Sequence, residues 1–190
     1  MEQITQLKRR NFLGQAAGIT LSAGAVALLA GQPALAQSGN MAADVNILNV
    51  ALGLEHEAIN AYQIGAQSGL LQKPVLDVAV LFQSHHKGHR DALVATIEKM
   101  GGKPVAEKAI GDYAKALKAD TIKSQGDILD LAARLELGAI NAYLGVIPAF
   151  KDINLAKVAG RLAADETMHW SILSNAMGKA LPGGALTFGA

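Results

Sequence analysis

Four segments of the chain carry apolar residues three and four apart, the spacing of one helix face, and in each the stripe is broken at its middle by polar groups. From about Ala43 to Ser68 the stripe reads Leu48, Ala51, Glu55, Ile59, Tyr62, and Gly69 stops it. Pro74 fits an early position of a second helix, which reads Ala79, Phe82, His86, His89, Leu93, Met100 before Gly101-Gly102 and Pro104 end it. Ser124 with Asp127 three residues on resembles a capping box and opens a third, reading Leu129, Ala132, Glu136, Ile140, Tyr143 and continuing to about Pro148. Asn154 opens a fourth, with Leu155, Val158, Leu162, Glu166, His169 and Leu173, which closes near Gly178. No long alternating run and no Asn-Gly or Asp-Gly hairpin turn occurs, so the predicted class is all-α.

The first and second helices, and the third and fourth, are joined by short connections and are expected to form hairpins. Residues 101–123 are long enough to run along the molecule between them, with a short helix expected around Glu107 to Leu117. The expected architecture is an antiparallel four-helix bundle over residues 43–179, two hairpins joined by a long crossover, followed by a tail at 180–190. The halves are related: Leu54-Glu55-His56-Glu57-Ala58-Ile59-Asn60-Ala61-Tyr62 returns as Leu135-Glu136-Leu137-Gly138-Ala139-Ile140-Asn141-Ala142-Tyr143.

The first 36 residues stand outside this pattern. Lys8-Arg9-Arg10-Asn11-Phe12-Leu13 precedes a neutral, Gly- and Ala-rich stretch, and Ala34-Leu35-Ala36 offers a small-residue cleavage site before a linker at 37–42. This resembles a twin-arginine export signal, with an ordinary secretory signal or an uncleaved anchor as alternatives. The resemblance implies export in the folded state through the twin-arginine machinery, often with a metal or cofactor already inserted, to a periplasmic or other extracytoplasmic space. No further membrane span is expected in the mature chain.

Composition narrows the function. Without Glu2, Lys8, Arg9 and Arg10, the 17 basic and 16 acidic residues become 14 and 15, a balance that argues against a nucleic-acid partner. There are no cysteines, hence no disulfides, and the 51% hydrophobic content suffices for one sizeable core. A homo-oligomer is compatible with the sequence.

A carboxylate inside an apolar stripe costs several kcal/mol unless something compensates it. Glu166 and His169 lie three apart on one face, as do His86 and His89, and aligning His89 with His169 places His86 where the other half has Glu166. Glu55, His86, His89, Glu136, Glu166 and His169 are thus expected to converge at mid-height. Carboxylates with imidazoles in a dry core suit Fe, Mn or Zn better than Ca or Mg. His85, four residues before His89, is an alternative inward group to His86, and Glu57 lies beside Glu55 but off the stripe.

A glutamate on helices one and three with Glu-x-x-His on helices two and four resembles the ferritin-like di-iron carboxylate pattern over essentially the whole mature chain. The resemblance implies that Glu55 and Glu136 are terminal ligands, that His89 and His169 each bind one metal, and that Glu166 bridges. His86 departs from it, standing where the family usually has a second bridging glutamate. The function expected is binding of one or two transition-metal ions, iron first, with Fe(II) oxidation or peroxide handling as the activity. A metal-free bundle acting through partner contacts and a metal carrier or sensor are the alternatives. Tyr62 and Tyr143 read as core residues whose hydroxyls find partners inside the bundle, Trp170 as packing, and Asn60 and Asn141 as interhelical hydrogen-bonders. Lys108, Lys115, Lys118 and Lys123 read as a solvated crossover surface.

Overall fold

The computed structural model describes residues 40–186, so the expected export signal at 1–36 lies outside the described residues. Five helices are present among them and no strand: α1 (Asn40–Gln67), α2 (Lys73–Lys99), the short α3 (Ile110–Ala116), α4 (Gln125–Val146) and α5 (Ile153–Ala176). No helix among the described residues is long and apolar enough to cross a membrane.

The helix ends follow from local chemistry. Pro74 sits in the first turn of α2, where its missing N–H would have no partner anyway. At the other end Gly101 takes φ +75°, and Gly102 N–H donates to the Ile97 carbonyl at 2.9 Å, a Schellman closure that only glycine makes without strain. Ser124 caps α4 by accepting from Asp127 N–H, but the reciprocal half of a capping box is replaced: the Asp127 carboxylate accepts from Lys123 N–H instead. Helix α5 begins at Ile153, one residue before the expected Asn154, because Asp152 is the cap and accepts from Asn154 N–H.

Two apolar clusters fill the interior. In one, Leu48 and Leu52 from early α1 meet Leu93 and Ile97 from late α2, together with Tyr143 from α4 and Leu155, Ala159 and Leu162 from early α5. In the other, Tyr62 from late α1 meets Ala79 and Phe82 from early α2, Leu129 and Ala132 from early α4, and Leu173 from late α5. Trp170 packs against this second cluster. The expected stripes are largely buried, with two corrections: Met100 is half-buried just past the end of α2, where Ile97 closes the core, and Val158 is exposed while Ala159 faces inward, because the α5 stripe steps four, three, four from Leu155 through Ala159 and Leu162 to Glu166.

The crossover is strapped along α1. Asn49 donates to the Lys103 carbonyl and accepts from Val105 N–H, His56 Nε2 lies 3.3 Å from the Val105 carbonyl, and Asn60 donates to Glu107 Oε1 at 2.6 Å. Gly102 allows the close approach, since a Cβ there would meet Val45 Cγ1 at 2.5 Å. Asn60 therefore bonds the crossover and its own helix rather than another long helix as expected, while the Asn141 side-chain oxygen is buried with no hydrogen-bond partner among the described residues. Lys108, Lys115, Lys118 and Lys123 are exposed, as a solvated surface requires.

Candidate metal centre

Between the two apolar clusters lies one layer of charge. Glu55 comes from α1, His86 and His89 from α2, Glu136 from α4, and Glu166 and His169 from α5; all are buried except His89, whose side chain is 11% exposed. The structure therefore brings all six side chains together. They form two overlapping groups whose ligating atoms lie within 4.8 Å of one another: Glu55, His86, His89, Glu166, and His86, Glu136, Glu166, His169.

Glu166 is the member between the two groups. Its Oε1 lies 3.3 Å from His89 Nδ1, and its Oε2 lies 3.0 Å from His169 Nδ1. Glu55 Oε2 stands 3.6 Å from His89 Nδ1, and Glu136 Oε1 stands 3.4 Å from His169 Nδ1. His86 spans the layer, with Nδ1 2.8 Å from Glu55 Oε2 and Nε2 3.3 Å from Glu136 Oε1. His86, not His85, is thus the inward group. His85 is exposed and turns its Nδ1 to His169 Nε2 at 2.9 Å. Glu57 belongs to neither group; it lies under the crossover, where burial raises its pKa against the pull of Lys108.

The two tyrosines tie the halves together reciprocally. Tyr62 on α1 donates to Glu136 on α4, and Tyr143 on α4 donates to Glu55 on α1. A phenol donating to a buried carboxylate makes a charge-assisted bond, and burial with the nearby carboxylates pushes both hydroxyls well above their usual pKa. Beside Tyr62 is an apolar pocket of about 240 Å³, lined by residues such as Val75, Ala79, Leu129 and Leu173.

Electrostatics sort the acids and bases. Burial alone would raise Glu55, but hydrogen bonds and charge from His86 and His89 prevail and hold it at about 2. Glu136 is lowered the same way by His169 and His86. Glu166 goes the other way: burial raises it, with Glu136 adding to the effect, and the histidine hydrogen bonds do not overcome them. Burial opposes the charged imidazoles, yet the carboxylates raise His86 and His169 and bring His89 to about 10.

Several buried atoms of this layer make no well-aligned hydrogen bond: Glu136 Oε2, and Glu166 Oε1 and Oε2 with His89 Nδ1 and His169 Nδ1, which meet only as ion-pair contacts at 3.3 and 3.0 Å. Buried polar atoms are almost always well paired, and carboxylate oxygens and imidazole nitrogens gathered within 4.8 Å of one another match the donor set of a transition-metal cation. The family model for the ferritin-like domain matches residues 43–179. The chain belongs to this family. A comparison with curated proteins finds no match.

Within this ferritin-like chain, Asp165 and His85 are partners of the cluster that the apolar stripes do not reveal. Asp165 Oδ2 lies 3.2 Å from His89 Nε2, so each ring nitrogen pointing outward meets a group from the facing helix. A signal for both was present: each stands four residues before the histidine of its own helix, in matching places.

Proposed function

We propose that the protein is an exported ferritin-like four-helix bundle that binds one or two transition-metal ions, iron first and Mn or Zn otherwise, and oxidises Fe(II) or handles peroxide. One observation carries it: buried carboxylates and imidazoles from four helices bring their ligating atoms, in two overlapping groups, within 4.8 Å of one another in a layer between two apolar clusters. In the antiparallel arrangement, supported by the pairing of early α1 with late α2 and late α1 with early α2, Glu55 with His89 would hold one position and Glu136 with His169 the other. Glu166 would serve both through its two oxygens. Bound iron would supply the redox chemistry with O₂ or peroxide.

The chain's own residues would do the rest. The tyrosine hydroxyls fix the terminal carboxylates, and the apolar clusters exclude water from either end. His86 replaces a carboxylate, so three acidic side chains face two divalent ions and leave a residual charge of +1 for hydroxide or water to offset. The Lys8 to Leu13 pattern supports twin-arginine export to the periplasm, which would allow metal insertion before export.

Stopped-flow Fe(II) oxidation tests the activity. Oxidation several-fold faster than in buffer, lost in Glu166→Ala, is the expected result. Metal binding with oxidation no faster than in buffer would leave a carrier or sensor. A second reading, a metal-free bundle, is favoured by one observation alone: His86 contacts both terminal glutamates and so can tie them without a metal.

A further inference from the structure

The inner nitrogens of His89 and His169 see matching surroundings, since each faces one oxygen of Glu166 and one terminal glutamate. Their outer nitrogens do not. His89 Nε2 meets the Asp165 carboxylate at 3.2 Å, whereas His169 Nε2 meets another imidazole nitrogen, His85 Nδ1, at 2.9 Å. The difference is a substitution at one matched place, because His85 stands four residues before His89 as Asp165 does before His169.

We propose that His85 is the positioning residue of His169, and that a histidine standing there in place of a carboxylate makes the cluster unequal, the His169 end holding a divalent transition metal more weakly than the His89 end. The inference rests on the metal reading above. For His169 Nδ1 to offer its lone pair to a metal, Nε2 must carry the hydrogen, and His85 Nδ1 accepts it; this fixes the tautomer and the ring. Phe82 stacks on the same ring at 4.1 Å between centroids, and the His85 ring is within 19° of parallel to it. Asp165 does the same for His89 and also adds negative charge, which raises the basicity of the ligating nitrogen; a hydrogen bond to an anion is about twice as strong as one between neutral groups. His85 supplies the orientation without the charge.

Titration of the whole protein with Co(II), followed by calorimetry and by the visible absorption of the bound ion, tests this. The wild type is expected to bind in two unequal steps. His85→Ala should weaken the weaker step about 10- to 100-fold and spare the tighter one, while Asp165→Ala should do the reverse. His85→Asp should bring the two steps together, a gain that a merely structural role would not produce. A single wild-type equivalent sensitive to Asp165→Ala and not to His85→Ala, with a second equivalent gained in His85→Asp, is the limiting case of the same inequality. Binding unaltered by His85→Ala together with no tightening in His85→Asp overturns the inference alone, as does weakening of the tighter step by His85→Ala. No Co(II) bound by the wild type overturns the metal reading itself and the inference with it.

Discussion

Glu166 lies between the two halves of the charged layer, and the residues around it are legible to different degrees. Its spacing from His169 shows in the sequence, as does the place of Glu55 and Glu136 inside apolar stripes. Asp165 does not show, because a charged residue next to a buried one reads as a solvated flank; its side chain is indeed 44% exposed. The choice of His86 over His85 follows from the exact rotation of α2, which a stripe containing both His86 and His89 leaves open. Two predictions belong at this scale. Tyr62→Phe removes the donor to Glu136 and should lower stability by about 1 to 3 kcal/mol, read from urea unfolding, with Tyr143→Phe alike through Glu55.

The second concerns pH in the metal-free protein. His89 is raised from 6.5 to about 10, so its stabilising contribution is complete below pH 6.5 and is lost as the pH rises toward 10. Glu55 is lowered from 4.5 to about 2, so its contribution is complete above pH 4.5 and is lost as the pH falls toward 2. The unfolding temperature in a chelator should therefore peak between about pH 4.5 and 6.5; a flat profile from pH 6.5 to 10 would contradict the assignment. Metal binding must displace protons from the same imidazoles and should tighten as the pH rises through this alkaline range.

Elements were more legible than contacts. Gly69, Gly101 and Pro74 mark helix boundaries because their backbone constraints act locally, whatever they pack against. Val158 misleads because a valine and an alanine are neighbours and the larger one looks like the core residue, yet the four-three-four step of α5 selects Ala159. The strap over α1 could not be read, since Asn49, His56 and Asn60 reveal nothing of Lys103, Val105 and Glu107 until the chain folds back. Asn49→Ala removes both of that residue's bonds to the strap. It should cost about 1 to 2 kcal/mol and speed proteolysis between residues 103 and 109, with the buried layer intact.

At the scale of the molecule, two apolar clusters enclose a layer whose carboxylates and imidazoles are costly to bury, and a bound cation is the compensation the account requires. Ligand binding to the folded state alone stabilises it by about 2.7 kcal/mol at a free metal concentration 100 times Kd, so chelation should lower the unfolding temperature measurably. The most direct measurement is the metal content of the purified protein beside that of Glu166→Ala. One or two equivalents of Fe, Mn or Zn are expected in the wild type, with most of it lost in the variant. A protein that stays metal-free after reconstitution with Fe(II), Mn(II) and Zn(II), with an unfolding temperature indifferent to chelator, would contradict it.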